Sequence, residues 1–109
     1  MSHPLPIEVI DLAKTQIRVA DEWWRLNRPK APNAIREELE RASVLISVQP
    51  EIGARARNVR LAGVCRVHLA RVRYHVYYRV LTKPERVQIL AFWHASRGSP
   101  PELPGVQEL

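Results

Sequence analysis

Between Gly53 and Gly98 the chain carries ten lysines and arginines against a single acidic residue, Glu85. Tyrosines and histidines lie among them, and all three types can do chemistry. Arginine offers a planar fork of donors for phosphate or carboxylate, tyrosine can stack on a base, and histidine can move a proton near neutral pH. Such a set could bind an anionic partner, or it could hold RNA and cleave it by general acid–base chemistry without a metal ion.

The candidate site residues are the basic and aromatic side chains of this stretch. If the chain is a ribonuclease, the candidate catalytic residues are Arg66, Arg79 and His94; otherwise the catalytic residues are unknown. An ordinary solvated sheet face explains the same pattern, because Arg and Tyr are good cross-strand neighbours. The residues that we expect to contact a target or a nucleic acid are Arg66, His68, Arg71, Arg73, His75, Tyr77, Arg79 and Arg97.

Metal chemistry has no support in the sequence. The four histidines, His3, His68, His75 and His94, do not pair at i, i+4 or stand beside a carboxylate. The one cysteine, Cys65, excludes both an internal disulfide and a cysteine zinc cluster. No phosphate-binding glycine loop is present either. The sequence therefore predicts no metal site and no cofactor.

Size and composition predict one globular domain over residues 1–109, with irregular tails at 1–5 and 99–109. Of the 109 residues, 46% are hydrophobic and 26% are charged, and the net charge of +6 favours acidic partners. The positive charge is uneven, because seven basic and eight acidic residues precede Gly53. No apolar run reaches the ~20 residues that cross a bilayer, and no signal peptide is recognisable. We expect a cytoplasmic protein with no membrane contact.

Two helices are predicted in the first half, after a short extended segment at 7–11. The first helix should end before Pro29, because the residue before a proline is disfavoured in the α region. The second should end near Pro50, and a six-residue link makes the pair an antiparallel hairpin. Apolar residues at i, i+4, i+7 and i+11 define one face of each helix: Ala13, Ile17, Ala20 and Trp24 in the first, and Ile35, Leu39, Ala42 and Ile46 in the second.

After Gly53 the period changes to two, and the runs 64–69, 74–81 and 86–94 are predicted strands. Short links make successive strands antiparallel. The predicted fold class is α+β: a two-layer domain with an antiparallel β-sheet packed on an α-helical hairpin, in the order β-α-α-β-β-β. Arg66, His68, His75, Tyr77 and Arg79 lie on the polar sheet face. Strict alternation in the last strand places Val87, Ile89, Ala91 and Trp93 on one side and Leu90, Phe92 and His94 on the other.

The last strand is therefore apolar on both sides, and a two-layer protein leaves one of those sides uncovered unless something else packs there. Trp23 and Trp24 point about 100° apart on their helix, so one can enter the core while the other lies near its edge. Exposed aromatic area there could dock a partner helix, or both rings could complete the core. We expect Trp23, Trp24, Leu90 and Phe92 to contact a protein partner.

Seven short motifs, in order along the chain, give it a family likeness from about Ile7 to Leu103. They are Ala20-x-x-Trp23-Trp24, Ala31-Pro32-Asn33, Leu39-Glu40, Pro50-Glu51-Ile52-Gly53, Arg60-Leu61-x-Gly63-Val64-x-Arg66, Tyr74-x-Val76-Tyr77-Tyr78-Arg79-Val80 and Val87-x-Ile89-Leu90-x-x-x-His94-Ala95-Ser96-Arg97-Gly98. With these motifs the chain resembles the ParE branch of the ParE/RelE superfamily of bacterial type II toxins.

The resemblance implies a small basic toxin, of the kind linked to plasmid stabilization, in a hetero-oligomer with an acidic ParD-like antitoxin that wraps it. ParE-like members are associated with inhibition of DNA gyrase, whereas RelE-like members cut mRNA on the ribosome. The cutting branch tends to use a tyrosine or histidine near the C-terminus, and here no tyrosine follows Tyr78 while His94 and Arg97 lie near that position. Three hypotheses follow: a gyrase inhibitor, a ribosome-dependent mRNA endoribonuclease, and a non-toxic basic module that binds nucleic acid.

Overall fold

Two helices pack on one face of a five-stranded sheet in the computed structural model, which describes residues 3–57 and 59–103. The sheet order is β1-β5-β4-β3-β2. The predicted α+β class and its two layers are confirmed, and the last two strands have the predicted bounds. The elements are β1 (Ile7–Val9), α1 (Asp11–Asn27), α2 (Ala34–Val48), β2 (Ala54–Arg55), β3 (Cys65–Leu69), β4 (Tyr74–Leu81) and β5 (Arg86–His94).

The first hydrophobic cluster lies between the helices and the sheet. Its helical members repeat the predicted periodicity, and the sheet contributes residues from β3, β4 and β5. Alanines at several helical positions let the helices approach the sheet closely. The buried members are Ala13, Ala20, Ala34, Ile35, Ala42, Ile46, Leu69, Val72, Val76, Tyr78, Val87, Ile89 and Phe92.

The edge strand β1 differs from the predicted antiparallel arrangement. It pairs parallel to β5, with Ile7 opposite Val87 and Val9 opposite Ile89, so the sheet is mixed. Pro6 has no N–H to donate, which suits the start of an edge strand, and its carbonyl accepts from Val87 N at 2.9 Å. Local periodicity does not report this direction, because the two strands are separated by both helices and three other strands.

A bulge in β5 makes the prediction of strict alternation wrong beyond Ile89. Tyr77 pairs with Ala91 and Tyr78 pairs with Ile89, so Leu90 is the extra residue. The bulge shifts the phase of the strand. Phe92 consequently joins Ile89 in the first cluster, whereas Leu90 and Ala91 are buried on the opposite sheet face with Trp93 packed against them.

The sheet face away from the helices is covered by the chain itself. Residues 99–103, which we call the C-terminal strap, have no regular structure but cross this face and bury Leu103, which is 6% exposed. Leu103 joins Val64, Tyr77, Leu90 and Ala91 in a second hydrophobic cluster. The strap is therefore what packs on the second apolar side of the last strand. Of the predicted tails, residues 1–2 and 104–109 lie outside the described residues.

Tyr78 joins the end of α2 to the sheet. Its hydroxyl donates to Pro50 O at 2.6 Å and accepts from Gly53 N at 2.9 Å. A Cβ at Gly53 would lie 2.7 Å from that hydroxyl, so the close approach needs glycine. Burial raises the pKa of Tyr78. This contact fixes the start of β2, which forms one wall of the site described next.

Candidate functional site

A cleft of about 320 Å³ opens on the sheet face away from the helices. One wall is β2 and the residues that follow it, the floor comes from β3 and β4, and the other wall is the end of β5 with the first residues of the strap. We call it the basic cleft. Its arginine and histidine lining residues are Arg55, Arg57, Arg66, His75, His94 and Arg97.

The four arginines of the basic cleft have no acidic partner among residues 3–57 and 59–103. No acidic residue lines the cleft in this part of the chain. The arginines that do lie within 3.6 Å of a carboxylate are Arg18, Arg25, Arg36, Arg41, Arg71 and Arg86. The cleft therefore concentrates uncompensated positive charge in one concave place, which attracts anions.

His75 lies on the floor of the basic cleft, beside Arg66 and Tyr77. Its Nδ1 is buried and has no hydrogen-bond partner in the described part of the chain. Burial lowers the pKa of His75, and the positive charges of Arg66 and His68 lower it further. The His68 and His75 ring centroids are 4.9 Å apart. His75 therefore favours its neutral form, which can both donate and accept a hydrogen bond.

His94 is oriented by the turn that follows β5. The Ser96 backbone N–H donates to His94 Nδ1 at 3.1 Å, and the Ser96 Oγ lies 2.6 Å from the same nitrogen. Since Nδ1 accepts from the backbone, the proton of the neutral ring lies on Nε2. The Tyr74 ring meets the His94 ring edge-on, with centroids 4.9 Å apart. His94 consequently has a fixed direction at the end of the cleft.

Arg97 and the strap are held by Trp93. The Arg97 guanidinium carbon lies 4.1 Å from the centroid of the Trp93 ring, a cation–π contact. The Trp93 Nε1–H donates to Ser99 O at 2.9 Å, which fixes the first residue of the strap. One tryptophan therefore positions both the arginine and the wall beside it.

A second and larger cleft, of about 830 Å³, lies on the helix side of the sheet. Trp24 packs against the first cluster and donates from Nε1 to Ala31 O at 2.9 Å, whereas Trp23 is 49% exposed. One tryptophan enters the core and the other lies at its edge, as predicted. We call this the aromatic cleft, and its lining includes Val19, Trp23, Trp24, Arg28, Arg71, Arg73 and Tyr74.

The structure divides the predicted contact residues between these places. The basic cleft brings together Arg66, His75, Tyr77 and Arg97, with His68 beside His75. Arg97 and His94 lie between the two clefts and line both of them. Arg71 and Arg73 line the aromatic cleft instead. Arg79 lines neither cleft, and its Nε donates to Gln88 Oε1 at 2.9 Å. Of the three candidate catalytic residues, Arg66 and His94 therefore share a cleft and Arg79 does not.

Sequence reasoning did not select Arg55, Arg57 or Trp93 for this site. The spacing of Arg55 and Arg57 by two residues is a strand signal, but β2 has only two residues. Strict alternation puts Trp93 on the same side of the last strand as Ile89, whereas the bulge turns it to the opposite sheet face. Within the described ranges no group of three or more His, Cys, Asp or Glu side chains is arranged to hold a metal ion. No helix there is long and apolar enough to cross a membrane.

A helical hairpin on a mixed sheet of this order defines the ParE/RelE-like toxin fold. The chain belongs to the family of ParE toxins of type II toxin–antitoxin systems, parDE, whose model matches residues 7–98. A solved structure described as the chromosomal ParDE TA system from P. aeruginosa is similar, with a TM-score of 0.68 and 21% identity. The match covers 87% of this chain and 100% of that one. No curated protein matches.

Proposed function

We propose that this ParE toxin acts by binding, that DNA gyrase is its target, and that a cognate acidic ParD-like antitoxin neutralises it in a cytoplasmic hetero-oligomer. The family match over residues 7–98 carries the proposal. The basic cleft supports it, because uncompensated arginines steer and hold an acidic or anionic partner without any reaction.

The separation of the candidate catalytic residues also favours binding over ribonuclease chemistry. General acid–base cleavage needs its proton-transfer and phosphate-binding groups within hydrogen-bond reach of one reacting phosphate. Arg66 and His94 line the basic cleft, but Arg79 lies outside it and is bonded to Gln88. The three residues do not form one site, so the endoribonuclease reading is the weaker alternative.

The aromatic cleft is the proposed antitoxin surface. Trp23 and Val19 are 49% and 54% exposed, which supplies apolar anchors for an amphipathic helix. Arg28 and Arg73 add positive charge to the rim, which suits an acidic segment. Leu90 and Phe92 are 1% and 2% exposed. Their predicted contact with the antitoxin would require covering segments to move.

A supercoiling assay tests the target. Purified toxin in stoichiometric excess should inhibit DNA gyrase, and prior mixing with its cognate antitoxin should restore activity. Full supercoiling activity with the toxin alone would contradict the proposal.

Primer extension on a translated mRNA, run in parallel, tests the endoribonuclease alternative. New cleavage sites in the mRNA, together with active gyrase, would assign the chain to ribonuclease chemistry. Unchanged growth on expression without the antitoxin would favour the non-toxic binding module.

A pair of variants tests the antitoxin surface. Trp23→Ala should weaken antitoxin binding by at least tenfold, because truncating an exposed aromatic anchor commonly costs about 2 kcal/mol or more. Leu26→Ala is the matched control, since Leu26 is 83% exposed on the same helix and does not line the aromatic cleft. Calorimetric titration of both variants decides it, and equal affinities would remove Trp23 from the interface.

A further inference from the structure

We propose that the basic cleft binds the phosphodiester backbone of a single nucleic-acid strand. The starting observation is the arrangement of its four arginines, Arg55, Arg57, Arg66 and Arg97. All four are exposed, and none has a salt bridge to an acidic residue within residues 3–57 and 59–103. Like charges around one concave site repel one another, and an anionic ligand relieves that repulsion.

The spread of the arginines indicates a ligand with several negative charges in series. Arg55 belongs to β2, Arg66 to β3, and Arg97 follows β5. Because β5 and β2 are three strand spacings apart in this sheet, the charges extend over roughly 14 Å. A single carboxylate or free phosphate is too short to reach all of them, whereas successive phosphates of a strand can do so.

The remaining lining suits a nucleic acid better than a peptide. The aliphatic residues in the cleft are small, Ala56, Val59 and Ala95, and such a surface lacks the deep apolar pocket that anchors a peptide. A polyanion needs no such pocket, since release of its counterions supplies most of the affinity. Arginine forks match phosphate oxygens, and the Arg97 plane on Trp93 is a surface on which a base can stack.

His75 adds unused hydrogen-bonding capacity to the cleft. It lines the site beside Arg66, and its buried Nδ1 has no partner in the described part of the chain. Buried polar atoms are normally paired, and this nitrogen is an exception. The imidazole ring is therefore not held in place by a hydrogen bond at Nδ1. A neutral imidazole can turn toward a ligand oxygen or base edge without adding a fifth fixed charge to the site.

The test uses the isolated full-length chain and a fluorescent single-stranded DNA of about 20 nucleotides, without gyrase. Fluorescence anisotropy should show binding that weakens with salt. The slope of log K against log salt should be about −3, because each of four phosphate contacts to a single strand contributes about −0.7. Binding without salt dependence would overturn the proposal, and so would no binding at 0.1 M salt.

The decisive comparison is between two double variants of equal net charge. Arg57→Ala with Arg66→Ala should weaken binding at least tenfold and reduce the slope to about half, since two of the four contacts are lost. Arg18→Ala with Arg36→Ala is the matched control, because these arginines are exposed, lie on the helices and pair with Glu22 and Asp21. The control should change binding less than twofold. Equal losses would mean attraction to net charge alone.

A competition experiment distinguishes a nucleic-acid ligand from an acidic protein segment. Poly-glutamate of the same charge should displace the labelled strand much less well than unlabelled DNA does. Equal displacement would assign the cleft to an acidic protein segment and overturn the proposal. Circular dichroism and thermal unfolding of each variant confirm that the fold is kept. Because gyrase is absent, failure here leaves the proposed gyrase target unaffected, and a failed supercoiling assay leaves this site unaffected.

Discussion

The two clefts are both built from arginine beside tryptophan, but they differ in the charges around them. In the aromatic cleft, Arg71 donates to Glu37 and Glu38, both from α2. In the basic cleft, Arg55, Arg57 and Arg66 have no such partner in the described residues. The difference follows from the layers, because eight of the eleven acidic residues precede Gly53 and so belong to the helical half. Carboxylates of α2 therefore compensate part of the positive charge in the aromatic cleft, whereas no acidic residue lines the basic cleft in the described part of the chain.

The largest expected effect is on stability and comes from truncating a tryptophan of the aromatic cleft. Trp24→Ala should lower the free energy of unfolding by about 3 kcal/mol, because the ring packs on the first cluster and its N–H bonds to Ala31 O. Trp23→Ala should cost less than about 1 kcal/mol, since that ring is half exposed. Urea unfolding of the pair measures the difference. Equal losses would mean that the two rings do not divide between core and surface.

The next effect concerns the basic cleft and its strap. Leu103→Ala should lower the free energy of unfolding by about 2 kcal/mol, because the side chain is buried in the second cluster. It should also weaken binding of single-stranded DNA several-fold, since the strap is one wall of the cleft. Glu102→Ala, at the exposed neighbouring position, is the control. Unchanged stability in Leu103→Ala would show that the strap does not hold this face.

A smaller effect is expected when an arginine that has a salt bridge is compared with one that has none. Arg71→Met should lower the urea midpoint slightly and leave DNA binding unchanged, because Arg71 forms salt bridges with Glu37 and Glu38. Arg66→Met should do the reverse, with an unchanged midpoint and weaker DNA binding. Urea titration and fluorescence anisotropy on both variants give the two readings. The same response in both proteins would remove the distinction between the clefts.

The smallest effect is a pH dependence that originates in the basic cleft. The pKa of His75 is lowered in the folded chain, so the unfolded chain, with a pKa of about 6.5, takes up the proton first as the pH falls. The contribution of His75 to stability is therefore complete above about pH 6.5 and decreases below it. Urea unfolding at pH 7.5 and 5.5 should show a smaller decrease for His75→Asn than for the wild type.

Local periodicity was enough to predict the helices and β4, and it placed Arg66, His75 and Tyr77 on one face. Helices, strands and the face on which a side chain lies depend on residues that are close in the sequence, so local periodicity can predict them. It was not enough for β1, whose partner β5 lies far along the chain, nor for the bulge. Leu90 and Ala91 are both apolar, and no glycine or proline marks the extra residue. Arg55, Arg57 and the strap were missed because β2 and the strap have hardly any periodic pattern, whereas His94 and Arg97 of the opposite wall were among the predicted residues.

The parallel pairing of β1 with β5 also determines how late in synthesis the sheet can be completed. Ile7 and Val9 find their partners only in Val87 and Ile89. At roughly 5–20 residues per second, a ribosome needs about 4–16 s to cover that interval. Until then the first helix lacks most of its sheet contacts, which lie in β5. A chain that stops at Leu81 lacks β5, and we therefore expect it to be unfolded by circular dichroism.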